Sequence, residues 1–203
     1  LLTNYFGIID CDGIGKEISL KFPHVRIILD SVHDLWGLKK HREISKWADY
    51  QFYSFSKFLP VPDGGILLGK EIKRIKFEKK TLSLNSYLKA SKYKNLFKKC
   101  IADDAFKKKI EKSYLKNFKI ANQQKELLNE RPNNSVVKLL DSFDYDKIKK
   151  IRRHNFFYLR KKLKNLKNIR LLKFNDKYSA PLNFPIFVKS RNKRDMLKNY
   201  LEK

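Results

Sequence analysis

The chain predicts an α/β fold built on a mainly parallel sheet with covering helices. Three observations carry this. The first is a strand–helix–strand unit. An apolar run over residues 1–9 is followed by a helical pattern from Ile14 to Phe22, then by the β-branched run Val25 to Leu29. A strand, a crossover helix and a second strand form the parallel unit. The second is the aromatic run Tyr50 to Phe55, which has the composition of a buried strand. The third is a long helical pattern, followed near the end of the chain by two short apolar runs and a last amphipathic helix.

Taken in order, Asp12-Gly13-Ile14-Gly15-Lys16 holds two glycines but no third at fingerprint spacing, so it is neither a dinucleotide loop nor a phosphate loop. It reads as the turn that opens the first helix, which Pro23 stops. From Gly37 to Lys46 the chain is polar. It then enters the strand that leads to Lys57, turns through Pro60, Pro62 and Asp63-Gly64-Gly65, and returns as Ile66 to Leu68. From Leu82 to Glu130, residues including Leu88, Phe97, Ile110, Tyr114 and Phe118 recur at helical spacing between lysines. They are read as a helical core face, and runs such as Lys107-Lys108-Lys109 as its solvated side. Arg131 to Ser135 breaks the pattern, and a second long helix is expected from Asp144 to Leu166. Strands are expected at Arg170–Phe174 and Phe184–Val188, and a closing helix at Arg191–Glu202.

With 203 residues, 42% of them hydrophobic, the chain is long enough for a real core. No apolar run approaches the length that spans a bilayer. Cys11 and Cys100 suit a reducing compartment, and neither they nor His24, His33, His41 and His154 show metal-ligand spacing, so no metal is expected. The net charge is +26, which raises nucleic acid or an anionic membrane surface as partners. The lysines, however, are spread over the whole chain with no recognisable nucleic-acid motif, so neither partner is expected. No leader with a basic start and a cleavage site is recognised at the amino end, and a cytoplasmic protein is expected.

The chemistry-bearing candidates are an acid and an amine. Ligands of open parallel sheets bind outside the carboxyl ends of the strands. Asp30 ends one predicted strand and Lys57 follows the next, so the two can address opposite sides of one ring-shaped ligand. A lysine next to hydroxyls and aromatics on a stiff turn can be partly desolvated, which makes its amine a usable nucleophile. The plainer alternatives are that Asp30 caps a turn and that Lys57 is a solvated loop residue.

Ile27-Ile28-Leu29-Asp30-Ser31-Val32-His33, followed by Ser54-Phe55-Ser56-Lys57 and Asp63-Gly64-Gly65, resembles the fold-type-I pyridoxal-phosphate enzymes. Within them it is most similar to the nucleotide-sugar aminotransferases of the DegT/StrS type. That family has a strand ending in an acid, then two small residues and Gln or His, and a lysine followed six residues later by an acid and two glycines. The resemblance implies the pyridoxal-phosphate transferase fold. Residues 1–130 would form part of the large cofactor-binding domain with a helical extension. Residues 131–203 would form an interdomain helix, carrying Arg152 and Asn155, and the start of a small carboxyl-terminal domain.

The resemblance also implies that Lys57 forms the Schiff base with pyridoxal 5'-phosphate and moves the proton in catalysis. Asp30 would pair with the pyridine nitrogen, and His33 would lie against the cofactor ring or its phenolic oxygen. Ser54 would contact the phosphate, although the family's serine stands five residues before the lysine, where this chain has Phe52. The reaction implied is amination of a nucleotide-linked keto sugar from an amino-acid donor, in surface polysaccharide synthesis, by a homodimer. Relatives that dehydrate sugars replace the lysine by His, so Lys57 argues against that chemistry. The resemblance covers nearly all of the chain but only the middle of the family's length, so a fragment lacking both ends is expected. Two other classes stay open: a non-catalytic relative that acts as a binding or assembly module, and a basic nucleic-acid-binding protein.

Overall fold

The computed structural model describes residues 1–61, 64–69, 72, 82–99, 104–127, 134–174 and 177–202. Contacts divide the chain into two units. The first comprises Leu1–Phe58, Gly65–Glu71 and Asp144–Lys203; the second comprises Leu59–Gly64 and Ile72–Phe143. The boundary expected at residues 130–131 lies outside the described residues, as do Asp63, Cys100, Ile101 and the break at Arg131–Asn133.

The first unit is mixed α/β. Its main sheet has four strands in the order β1 (Leu2–Thr3), β2 (Ile28–Asp30), β3 (Tyr50–Ser54) and β4 (Gly65–Gly69). β1 and β2 pair in parallel, as do β2 and β3, with Leu29 opposite Gln51 and Asp30 opposite Phe52. β4 pairs antiparallel to β3, with Ser54 opposite Gly65. The sheet is therefore mixed, and the expected return at Ile66 to Leu68 is its antiparallel edge. Gly64 has φ +108°, the conformation expected of a glycine at that turn.

The expected first strand is much shorter than its apolar run. β1 ends at Thr3, and Tyr5–Gly7 form a 3-10 turn in which Phe6 has φ 61° and Gly7 φ 68°. Tertiary contacts hold Phe6 in this costly region. Its amide donates to His33 Nδ1 at 3.3 Å, its ring stacks on that imidazole at 6.1 Å, and its carbonyl accepts from the Leu182 amide at 2.8 Å.

Helix α1 (Asp12–Lys21) begins two residues before Ile14, so the expected opening turn is itself helical. Asp12 in the first turn and Lys21 in the last suit the helix dipole. Lys16 pairs with Asp12 and Lys21 with Glu17, at 2.5 and 2.6 Å, each four residues on. The stretch read as polar from Gly37 to Lys46 is also ordered. It continues a 3-10 helix over Leu35–Lys40 and holds α2 (His41–Ile44). The reason is apolar content missed among the charges: Leu35, Trp36 and Ile44 are buried, and Trp47 and Ala48 follow. Cys11, Ile27, Leu29, Ile44, Trp47 and Ala48 make one core cluster, with Leu2 and Ile18 against it.

In the carboxyl-terminal part of this unit, α6 (Tyr145–Leu163) starts where Asp144 accepts from the Lys147 amide at 2.9 Å. β5 (Ile169–Leu171) and β6 (Ile186–Val188) pair antiparallel, and Ser190 caps α7 (Arg191–Leu201). The strand expected through Phe174 stops at Leu171. Phe174 instead packs on Phe156 at 5.3 Å, beside Phe184 at 4.9 Å.

The second unit is helical. α3 (Leu82–Lys99) and α4 (Asp104–Leu127) pack on each other, with Ala90, Ile110 and Ala121 buried. One expected helical stretch is thus two helices. α5 (Asn134–Asp141), with Val136 buried, begins within the break expected at Arg131–Ser135 and had no expected counterpart. Among the described residues no helix is long and apolar enough to cross a membrane, and no group of three or more His, Cys, Asp and Glu is placed to hold a metal.

Candidate functional site at the carboxyl edge of the sheet

Parallel pairing sets the site. Because β2 and β3 run the same way, Asp30 at the end of one and Ser54 at the end of the other emerge at the same edge of the sheet. The Ser31 amide donates to the Phe52 carbonyl at 2.9 Å and carries the ladder one step past the strand. Asp30 is half-buried. Its Oδ1 accepts from the Val32 amide at 3.0 Å, so the turn-capping role is real. Its Oδ2 has no hydrogen-bond partner among the described residues.

His33 lies three residues on, facing the Tyr5–Gly7 turn through Phe6. Ser54 Oγ and Ser56 Oγ share a hydrogen bond of 3.2 Å. Lys57 stands in the turn closed by the Phe58 amide on the Phe55 carbonyl at 2.9 Å. Lys57 is exposed among the described residues, which do not supply the expected desolvation of its amine. The structure therefore brings the ends of the Asp30 and Lys57 strands to one edge and sets His33 beside Phe6.

The side chains that bind this edge together were not anticipated. Asp34, 4% exposed, accepts from Asn4 Nδ2 at 2.9 Å, from the Gly37 amide at 3.0 Å and from Ser179 Oγ. Ser179 is fully buried, and its carbonyl accepts from Arg153 Nη1 at 2.6 Å. The neighbouring Arg152 reaches the carbonyls of Leu182 and Phe58 at 3.4 and 3.5 Å, with its guanidinium over the Phe58 ring at 5.0 Å. Burial lowers the pKa of that guanidinium. Arg152 and Arg153 thus brace backbone carbonyls, at Leu182 and Phe58 and at Ser179 respectively. Behind the edge, buried Tyr53 donates to Gln51 Oε1 at 3.0 Å. Its hydroxyl pKa is pushed up, first by burial and then by the charge of Asp34, with a hydrogen bond to Ser31 acting the other way.

Gly7 explains part of the fit. A Cβ there would lie 2.5 Å from the His33 carbonyl and 3.3 Å from Ser179 Oγ. The glycine lets the β1 turn touch both the His33 loop and Ser179. Its φ of 68° is the left-handed value that glycine adopts freely. A signal for Asp34 was present, since it is a second acid four residues after Asp30, between the apolar runs Ile27–Leu29 and Leu35–Trp36. No comparable signal exists for Ser179, which is 145 residues away from Asp34.

A cavity of about 830 Å³ also lies in this unit, lined by Ser31 and Asp34 but by none of Asp30, His33, Ser54 and Lys57. Comparison of the chain with family models, curated proteins and solved structures finds no match.

Proposed function

We propose that this chain is built for pyridoxal-phosphate chemistry as an aminotransferase of a nucleotide-linked keto sugar. The observation that supports the reading most is the parallel β2–β3 pairing, which delivers an acid and a lysine-bearing turn to one sheet edge. The residues present fit the cofactor in kind. They offer an accessible primary amine on Lys57, a half-buried carboxylate on Asp30 with one oxygen uncommitted among the described residues, the His33 imidazole and the Ser54 hydroxyl.

When bound, the cofactor supplies an electron sink for charge that develops on the substrate carbon. Asp30, held by the Val32 amide, would face the ring nitrogen and favour its protonated form. Lys57 Nζ would be the amine that holds the cofactor and the group that moves a proton. Ser54 Oγ would be a donor for the phosphate, and His33, braced by Phe6, would border the ring. The keto sugar as acceptor, an amino acid as donor, a homodimer and a place in surface polysaccharide synthesis complete the reading.

The exposure of Lys57 favours a second reading, a non-catalytic relative that acts as a binding or assembly module. One experiment separates them. The protein is incubated with pyridoxal phosphate, reduced with borohydride and mapped by peptide. The expected result is a visible absorbance band and one labelled residue, Lys57, both lost in Lys57→Ala. Label scattered over many lysines, or a band that survives Lys57→Ala, overturns the enzymatic reading.

A further inference from the structure

The helical unit gathers lysine on one side of α4. At 3.6 residues per turn, Lys108, Lys109, Lys112, Lys116 and Lys119 fall within about 100° of arc on that helix, and all five are exposed. The buried residues Ile110 and Ala121 lie on the opposite side. The stripe runs for about 16 Å along the helix axis. Within its arc no acid stands between Lys108 and Lys119. An open groove of about 520 Å³ follows the same face, lined by Ala105, Lys108, Lys109, Glu111, Lys112 and Leu115.

What sets the stripe apart is its missing counter-charge. On α1, Lys16 and Lys21 each pair with an acid four residues earlier, and at the end of α7 Lys198 pairs with Glu202. Among the described residues none of the five stripe ammonium groups is in an ion pair. Of the acids at its border, Asp104 pairs with the half-buried Lys107 at 4.0 Å, which leaves Glu111 beside five amines. The packed partner helix α3 carries no acidic residue at all. Lys108, Lys112 and Lys116 instead follow one another at four-residue intervals, a spacing at which like charges repel. That repulsion weakens α4, and a polyanion laid along the stripe would relieve it.

The chemistry of the stripe selects the partner. Lysine meets phosphate as a compact, multiply donating charge. The apolar residues beside the stripe are Ala105 and Leu115, too few to make the wide apolar face with which a helix enters a membrane surface. No aromatic residue lies within the arc, so the stripe lacks the stacking platform of a single-strand binder. A straight helix with amines on both shoulders suits the major groove of B-form DNA, about 12 Å wide with phosphates on either side. The deep, narrow major groove of A-form RNA does not admit it.

We propose that the lysine stripe of α4 is a docking surface for duplex DNA, bound through its phosphates and without regard to base sequence. Lys108 and Lys119 face one strand, Lys109 and Lys116 face the other, and Lys112 lies between them. The proposal does not depend on cofactor chemistry, because none of Asp30, His33, Ser54 and Lys57 belongs to α4.

A net charge of +26 attracts any polyanion, so the test compares two variants of equal charge. The stripe variant carries Lys108→Gln, Lys109→Gln, Lys112→Gln, Lys116→Gln and Lys119→Gln. The reference variant carries the same change at five exposed lysines of the other unit, Lys150, Lys161, Lys164, Lys167 and Lys189. Binding of a short DNA duplex of arbitrary sequence is followed by fluorescence anisotropy from about 0.05 to about 0.2 M salt. The stripe variant is expected to lose at least tenfold in affinity, and its slope of log K against log salt to become shallower by about four to five, since each phosphate contact contributes about 0.9. The reference variant should stay within threefold of the unmodified protein. Circular dichroism checks folding, and should the stripe variant fail to fold, Lys112→Gln/Lys116→Gln, with a slope shallower by about two, decides. Equal losses in the two variants, or an unchanged slope in the stripe variant, overturn the proposal. Stripe-dependent binding that is tighter to duplex RNA or to phosphatidylserine vesicles than to DNA overturns it as well, by assigning the surface to another polyanion.

Discussion

The value of a hydroxyl in this protein depends on where it sits. Ser179 Oγ is fully buried and bound to Asp34, while Ser54 Oγ meets Ser56 in an exposed pair. Removing the first takes away one of the donors to Asp34 Oδ1, which keeps the Gly37 amide, and a hydrogen bond to a charged group is worth about 1.5–3 kcal/mol. Removing the second costs about 0.5 kcal/mol or less. For a chain of this size, Ser179→Ala is expected to lower Tm by about 3–8 °C and Ser54→Ala by less than about 2 °C, as differential scanning calorimetry can measure. Equal shifts would mean that the Asp34 cluster is not what binds the Ser179 segment. The same contrast explains what could be read in advance. Asp30, His33 and Lys57 announce themselves by type and by position at strand ends. Asn4 and Ser179 do not, because each is an ordinary polar residue whose role exists only once it has been brought to Asp34, 30 and 145 residues away along the chain. Lys57 shows the converse. Its neighbours looked enclosing along the sequence, but its exposure is set by what packs around the turn in space.

At the scale of elements, the parallel strands, the crossover helix α1, the long α6 and the terminal α7 were legible. Each carries a period or a stop that does not depend on the rest of the chain, such as Pro23 after α1. The misses occurred where tertiary contacts override local pattern. Residues 5–9 have strand composition, yet the anchoring of Phe6 to His33 and Leu182 turns them aside. The buried side chains around α2 were hidden among lysines. Gly15 is a further case of context deciding sign. On helix propensity alone, Gly15→Ala should stabilise α1 by about 1 kcal/mol. Its Cβ, however, would lie 2.3 Å from the Trp47 ring in the main core cluster, and Trp47 is itself pinned through Nε1 to Asp12. A contact that short forces α1 or the indole to move, which costs typically about 1–3 kcal/mol. Gly15→Ala is therefore expected to destabilise the protein by up to about 2 kcal/mol net in urea unfolding, whereas Gly13→Ala, with nothing within 4 Å of its Cβ, should be neutral or stabilising. A stabilised Gly15→Ala would show that α1 is not seated on Trp47.

For the molecule as a whole, charge is the dominant unbalanced quantity. A net +26 over 203 residues repels itself in every compact state. Among the described residues the ion pairs that relieve it are mostly local and exposed, such as Lys16–Asp12, Lys21–Glu17 and Lys198–Glu202, each four residues apart along or at the end of a helix. Pairs of that kind contribute about 0.3–0.5 kcal/mol each and are themselves weakened by salt. The repulsion acts over longer distances, and salt removes it first, since the screening length falls from about 30 Å at 0.01 M to about 10 Å at 0.1 M. Moderate salt should therefore stabilise this protein. A rise in Tm of several degrees is expected between about 0.01 and 0.2 M sodium chloride, measured by scanning calorimetry and repeated with sodium sulfate at matched ionic strength to separate screening from specific anion binding. An equal rise in both salts indicates screening of the whole-chain charge. A larger rise with sulfate indicates specific anion binding on top of screening. A falling Tm in chloride would show that the local ion pairs outweigh the net repulsion, and that the excess lysine is spread too thinly for its sign to govern stability.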